Sequence, residues 1–236
     1  MIEALAPLFK GPLEPFAECL TTDPVVGARP SAELLDPYVL RERIDRLALS
    51  YGDGDRRAVA SIWSKHHFST LMPAALAANL ALDLELPVAL AETRVVADFE
   101  GRTRRIVLSG AGTALALDQA EARFDALIDQ HLEPLIAALA GVVDASPKIF
   151  WSNAGNVFDY VVRAAGHASP AAGVEAGIAL MKERRRKGRP NPLYAPIRRL
   201  SDGRRVRRVC CLRYLTPRTD YCGTCPLPRG SSESLA

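Results

Sequence analysis

Val209-Cys210-Cys211-Leu212-Arg213-Tyr214 and, a few residues on, Tyr221-Cys222-Gly223-Thr224-Cys225-Pro226 hold four of the five cysteines of this 236-residue chain. Cys19 alone lies elsewhere. The four form a vicinal pair, a spacer of ten residues and a C-x-x-C, all within sixteen residues. Thiolates are strong ligands for zinc and for iron–sulfur clusters. Four of them match the ligand count of a Cys₄ zinc site or of a [2Fe–2S] cluster.

The spacing bears on that choice. Structural zinc sites usually take two C-x₂₋₄-C knuckles, and here one half has nothing between its cysteines. Adjacent α-carbons lie about 3.8 Å apart, so a turn is expected to aim both sulfurs of the pair at one iron. Cys222 and Cys225 would then serve the second, with Gly223 relaxing the backbone between them. Plant-type ferredoxins space their ligands as C-x₄-C-x₂-C with a distant fourth, and this chain does not. A disulfide framework is the competing account, and it suits small secreted domains.

Arg208 before the pair, Leu212-Arg213-Tyr214 after it and Pro226 at the end complete a stretch that closely resembles the FhuF-like ferric-siderophore reductases. Ala60-Ser61-Ile62-Trp63-Ser64 with Pro73 downstream, Phe150-Trp151-Ser152-Asn153-Ala154 and Asn191-Pro192-Leu193-Tyr194 are similar to segments of the same family. The resemblance runs from about residue 50 to residue 228 and implies that Cys210, Cys211, Cys222 and Cys225 bind one [2Fe–2S] cluster. It also implies a cytoplasmic one-electron reductase of iron(III) chelated by a siderophore, expected to be of hydroxamate type, with release of iron(II) and loose association with the inner face of the membrane. The chain has no G-x-G-x-x-G fingerprint, so bound NAD or flavin is not expected. Electrons are expected from a separate donor, a ferredoxin or a flavoprotein. A zinc-stapled protein and a non-catalytic siderophore or redox-sensing module are the alternatives.

The composition, 48% apolar and 24% charged, is that of an ordinary globular protein with room for a sizeable core. The N-terminus has neither the basic nor the long apolar region of a secretion signal, so a cytoplasmic protein is expected. The longest uncharged run, Phe68 to Leu82, has fifteen residues; a membrane span needs about 20. The net charge of +3 hides an asymmetry. Lys182 to Arg218 contains 14 Lys or Arg against 2 acidic residues. That basic segment suits docking of an acidic electron donor or a plain solvated surface. No aromatic stacking pattern accompanies it, so no nucleic-acid partner is expected.

Along the chain, residues 1–30 read as short helices and loop, with Cys19 a packed thiol. Asp36-Pro37 opens a helix whose buried face is Leu40, Ile44 and Leu47. A second helix should run from Asp55 to about Leu82, kinked or broken at Pro73. His66 falls on its inward face with Val59 and Ile62, and His67 points outward. Residues 93–108 read as a β-hairpin turning at Gly101, and Gly110-Ala111-Gly112 as a plain connection. Ala120 to Leu139 is an amphipathic helix bent at Pro134, followed by helices over 148–165 and 171–185. The basic run at the end of the last one complements the helix dipole. A second hairpin on Asp202-Gly203 leads into Cys210.

The expected fold is therefore α+β: a mostly helical, substrate-facing body over 1–190, a cluster-binding segment over 191–228 and a disordered tail over 229–236. Trp151, Asn153 and His66 are the candidate substrate residues, because an indole can stack on a chelate's organic arms and an amide can hydrogen-bond its oxygens.

Overall fold

A computed structural model describes residues 2–115, 122–168 and 171–228. Two 3₁₀ turns, Glu3–Leu8 and Gly11–Phe16, open the chain and bury Leu5 and Leu13. Two-residue strands β1 (Leu20–Thr21) and β2 (Arg29–Pro30) come next. They are too short to show a period of two, so periodicity carries no sign of them.

Helix α1 (Pro37–Ser50) starts where expected: Asp36 accepts from the Tyr38 N–H at 2.8 Å, and Leu40, Ile44 and Leu47 are buried. Asp55 caps helix α2 (Arg56–Leu82) in the same way, through the Arg57 N–H. Helix α2 runs unbroken through Pro73. An interior proline costs a helix about 3 kcal/mol. Here α2 is buried on nearly every side between α1, the sheet and the later helices, and that burial outweighs the cost.

After β3 (Leu84–Glu85) come β4 (Thr93–Ala97) and β5 (Thr103–Leu108), the expected antiparallel hairpin. Its turn contains Gly101 at φ +82°. A Cβ there would sit 2.7 Å from the Arg43 carbonyl oxygen, so the tip packs on α1 only as glycine. The four strands order as β1-β5-β4-β2, with β1 parallel to β5. The Gly110–Gly112 connection leads into β6 (Thr113–Ala114), which pairs with β3.

The helix expected from Ala120 begins outside the described residues. Its described part divides into α3 (Asp125–Leu127), a π-turn over Ile128–Leu132, and α4 (Glu133–Val142). Phe124, Leu127, Ile128, Leu132, Leu135 and Leu139 form the expected buried face. The π-turn lies immediately before Pro134, whose missing N–H and bulky ring disfavour regular i→i−4 bonding.

Helix α5 (Pro147–Ala168) packs along α2, and α6 (Ala172–Lys182) packs on both. Helix α6 stops three residues short of the expected Arg185, and the chain reverses through β7 (Arg185–Arg186) and β8 (Arg189–Pro190). Arg186 and Lys187 do more than complement a dipole: both pair with Asp125 and Asp129. The hairpin β9 (Ile197–Arg199) and β10 (Arg205–Arg207) turns at Gly203, φ +81°, and delivers the chain to Cys210. The architecture is α+β and mostly helical, as expected.

Candidate metal centre

The four C-terminal cysteines form their own buried cluster with Leu227, apart from the main core. All are free thiols. Cys211 and Cys222 approach to 3.6 Å between sulfurs. That contact joins one cysteine from each half of the motif. Leu212 makes this possible. At φ +57° it adopts a left-handed conformation uncommon for a non-glycine residue, and its N–H reaches back to Cys210 Sγ at 3.4 Å. The second half is closed by the Cys225 N–H donating to the Cys222 carbonyl.

Two cations stand beneath the thiols. Lys65, from the middle of α2, places Nζ 2.8 Å from Cys211 Sγ. Arg207, at the end of β10, is buried and donates through Nε to Thr224 Oγ1 at 2.9 Å. The hydrogen bond shared with Cys222 and the Lys65 and Arg207 charges lower Cys211, while the same contact and burial push Cys222 up. Cys211 is only 1% exposed. Four cysteines packed in one group with buried positive charge behind them fit a net-negative [2Fe–2S] cluster, which they would hold as thiolates.

The body is shaped to receive this segment. Asn153 on α5 is 1% exposed. Its amide nitrogen donates to Ser61 Oγ and Ser64 Oγ, both at 2.9 Å, and its carbonyl oxygen accepts from Arg207. Ser152 Oγ donates to the Val209 carbonyl at 2.8 Å. At Gly54 a Cβ would meet Thr216 Cα at 2.8 Å, and at Gly155 it would meet Pro196 Cβ at 2.5 Å. These two glycines let the cluster loop and the preceding turn sit directly on the helical body.

Residues 61–206 match the family described as ferric iron reductase FhuF-like transporter, and residues 207–227 match the FhuF 2Fe–2S C-terminal domain. The chain belongs to the FhuF-like ferric iron reductase family. It is an oxidoreductase, and its cysteine segment is the family's [2Fe–2S] domain. The ferric siderophore reductase of Escherichia coli (strain K12) is 27% identical over 176 residues, which cover 73% of this chain and 67% of that protein. Among the described residues no helix is long and apolar enough to cross a membrane.

Beside the [2Fe–2S] segment lies an open groove of about 450 Å³. Trp151 and Ser152 of α5 form one wall, Pro192, Tyr194 and Pro196 the other, and Arg208 and Val209 the end next to Cys210. Cys210 is the least covered of the four cysteines.

The candidate substrate residues separate. Trp151 lines the groove, half-buried. Asn153 does not line it; its side chain is spent behind the cysteines. His66 lines a different cavity, of about 520 Å³, together with Cys19, Thr103 and Arg104, and no residue of the cysteine segment reaches it. The inward histidine of α2 is His67, wholly buried, and not His66. Phasing the helix on Val59 and Ile62 turns the wrong histidine inward. Because α2 is buried nearly all round, an apolar stripe does not fix its inward direction. Burial holds His66 down to about 4 and raises Cys19. Lys65 carries no signal in the sequence, since a lone lysine in a helix reads as solvated surface.

Proposed function

We propose that this protein reduces siderophore-bound iron(III) by one electron, with Cys210, Cys211, Cys222 and Cys225 as the ligands of its cluster and the groove at Trp151 and Tyr194 as the seat of the chelate. The observation that carries this reading is the groove's position. Its end wall, Arg208-Val209, runs directly into Cys210, so a chelate lying there is within a few residues' length of the metal ligands. When bound, the cluster supplies single electrons.

The chain's own residues do the rest. Lys65 and Arg207 offset the negative charge of the thiolate site, which favours its more reduced state. Trp151, Pro192 and Pro196 give apolar surface for the organic arms of a chelate. Hydroxamate oxygens are hard ligands that hold iron(III) far better than iron(II), so one added electron loosens the metal and lets it leave as iron(II). The proposed division is a body over 1–190 and a cluster-binding segment over 191–228, and the groove lies between them, with Trp151 and Ser152 from the first and Tyr194, Pro196 and Arg208 from the second. The proposed donor is a separate acidic ferredoxin or a flavoprotein meeting the basic residues around the cysteines, among them Arg213 and Arg218. The setting is the cytoplasm, with the same basic surface available for loose contact with anionic lipid.

The test is a ligand series. Anaerobically purified protein should contain two irons and two labile sulfides per chain, in keeping with a [2Fe–2S] cluster. Changing any one of the four cysteines to Ser should lose or distort the visible spectrum, and Cys19→Ser should leave it intact. Reduced protein mixed with a ferric hydroxamate should be reoxidised in a single turnover. An intact spectrum in Cys211→Ser, or no reoxidation, would reject the reading.

A further inference from the structure

We infer that the cavity at His66 is a second ligand site, shaped for a monoanionic carboxylate with an apolar body. The cavity shares no residue with the cysteine segment, so this does not depend on the reading of the groove.

The cavity is walled by helix α2, strands β4 and β5 and the N-terminal segment, and its volume of about 520 Å³ is that of a small-molecule site. Pro15, Phe16 and Val25 bring apolar surface from the N-terminal segment, and Val96 adds more from β4. Thr70 and Thr103 are buried beneath it, and their hydroxyls are already committed. Thr70 Oγ1 donates to the His66 and Thr103 carbonyls, and Thr103 Oγ1 donates to His67.

What is left uncommitted is all of one kind. His67 and His131 use both of their ring nitrogens in hydrogen bonds. His66 is half-buried in the cavity wall, and neither of its ring nitrogens has a hydrogen-bond partner among the described residues. Burial, helped by the Arg102 and Arg104 charges, keeps the ring neutral, so it offers an N–H and adds no charge. Ser69, three residues further along the same face of α2, brings a hydroxyl to the same cavity. Arg105 is matched by Glu18, and Arg104 has no acidic partner among the described residues. Exposed arginines in that condition occur elsewhere, Arg198 and Arg199 among them, so a free guanidinium alone decides nothing. Arg104 differs in sharing a cavity with an unpartnered imidazole and an apolar wall.

A guanidinium, an imidazole N–H and a hydroxyl are donors, and a carboxylate is an acceptor only, whose two oxygens suit the paired N–H groups of a guanidinium. One unmatched cation calls for one negative charge. A phosphate monoester carries nearly two at neutral pH and would leave one unmatched. The apolar residues then cover the body of the ligand.

Benzoate, benzamide, acetate and inorganic phosphate test this, with binding to the cluster-loaded full chain measured by calorimetry. Benzoate should bind at least about tenfold more tightly than benzamide, which keeps the ring and lacks the charge. It should likewise bind at least about tenfold more tightly than acetate, which lacks the ring. Saturating benzoate should slow alkylation of Cys19 by iodoacetamide, read by peptide mapping, because Cys19 lines the same cavity. Benzamide at the same concentration should not. Arg104→Gln, a change to an exposed side chain, should bring benzoate down to the affinity of benzamide, and Trp151→Leu should leave benzoate binding unchanged. The Cys19 measurement needs no variant and stands if Arg104→Gln fails to fold. Equal affinities for benzoate and benzamide, phosphate binding as tightly as benzoate, or Cys19 alkylated at the same rate with benzoate bound would overturn the inference. So would a loss of benzoate binding in Trp151→Leu, which would put the anion in the groove beside the cysteines.

Discussion

Lys65 and Cys211 lie 146 residues apart in sequence and 2.8 Å apart in space, ammonium nitrogen to sulfur. A helix laid down early in the chain thereby sets the charge environment of a cysteine near its end. Lys65→Met should lower the cluster's reduction potential, because the reduced state is the more negative one and loses its nearest counter-charge. Lys65→Arg should restore most of it. Spectroelectrochemical titration reads the shift. A potential unchanged in Lys65→Met would mean that the ammonium swings away once iron is bound.

Asn153→Ala should act on the cluster's foundation and not on substrate affinity. It leaves Arg207 without its amide acceptor and Ser61 and Ser64 without a donor. Leaving buried polar groups unpaired costs about 1–3 kcal/mol. Lower melting temperature and faster cluster loss are expected, with KM for the chelate unchanged in the surviving fraction. Trp151→Leu should do the opposite and raise KM at constant cluster content.

Gly155→Ala should loosen the seat of the 190–196 segment, since the added methyl would sit 2.5 Å from Pro196 Cβ. Overpacking of this kind costs about 1–3 kcal/mol. Pro196→Ala in the same chain should recover part of the loss, and a double-mutant cycle in urea measures the coupling.

Stability should fall on the acid side. His67 and His131 are wholly buried and joined Nε2 to Nε2 at 2.9 Å. His131 Nδ1–H donates to the Val88 carbonyl, so its Nε2 accepts from His67, whose Nδ1 accepts from Thr103 Oγ1. The chain of hydrogen bonds is complete only when both rings are neutral. Burial holds His131 down to about 4 and His67 well below its ordinary value. Both titrate near 6.5 when unfolded. The unfolded state therefore takes up protons first, and stability is lost as the pH falls from about 6.5 toward 4, by on the order of 2–3 kcal/mol for His131. Urea midpoints at pH 7 and pH 5 should differ more in the parent than in His131→Gln, a comparison that cancels any acid lability of the cluster.

Much of the fold is legible in the sequence because it is local. Asp36-Pro37, the hairpin glycines Gly101 and Gly203, and the apolar face from Phe124 to Leu139 each specify their element within a few residues. The cysteine motif does the same for the cofactor. The hidden part depends on contacts across the chain. Nothing near Lys65 in sequence tells of Cys211, and nothing near Asn153 tells of Arg207. His66 and His67 are interchanged by periodicity because a helix enclosed on all sides has no outward direction to find. The strands β1 and β2 exist only because β5 and β4 offer them an edge.

The contact of Cys211 with Cys222 ties the two halves of the motif together. A cut between Cys211 and Cys222 would part that pair and leave two cysteines on each piece. A cluster held by all four cysteines would fasten the loop from Leu212 to Tyr221 at both ends, so that its capture and the closure of the C-terminal segment would be one event.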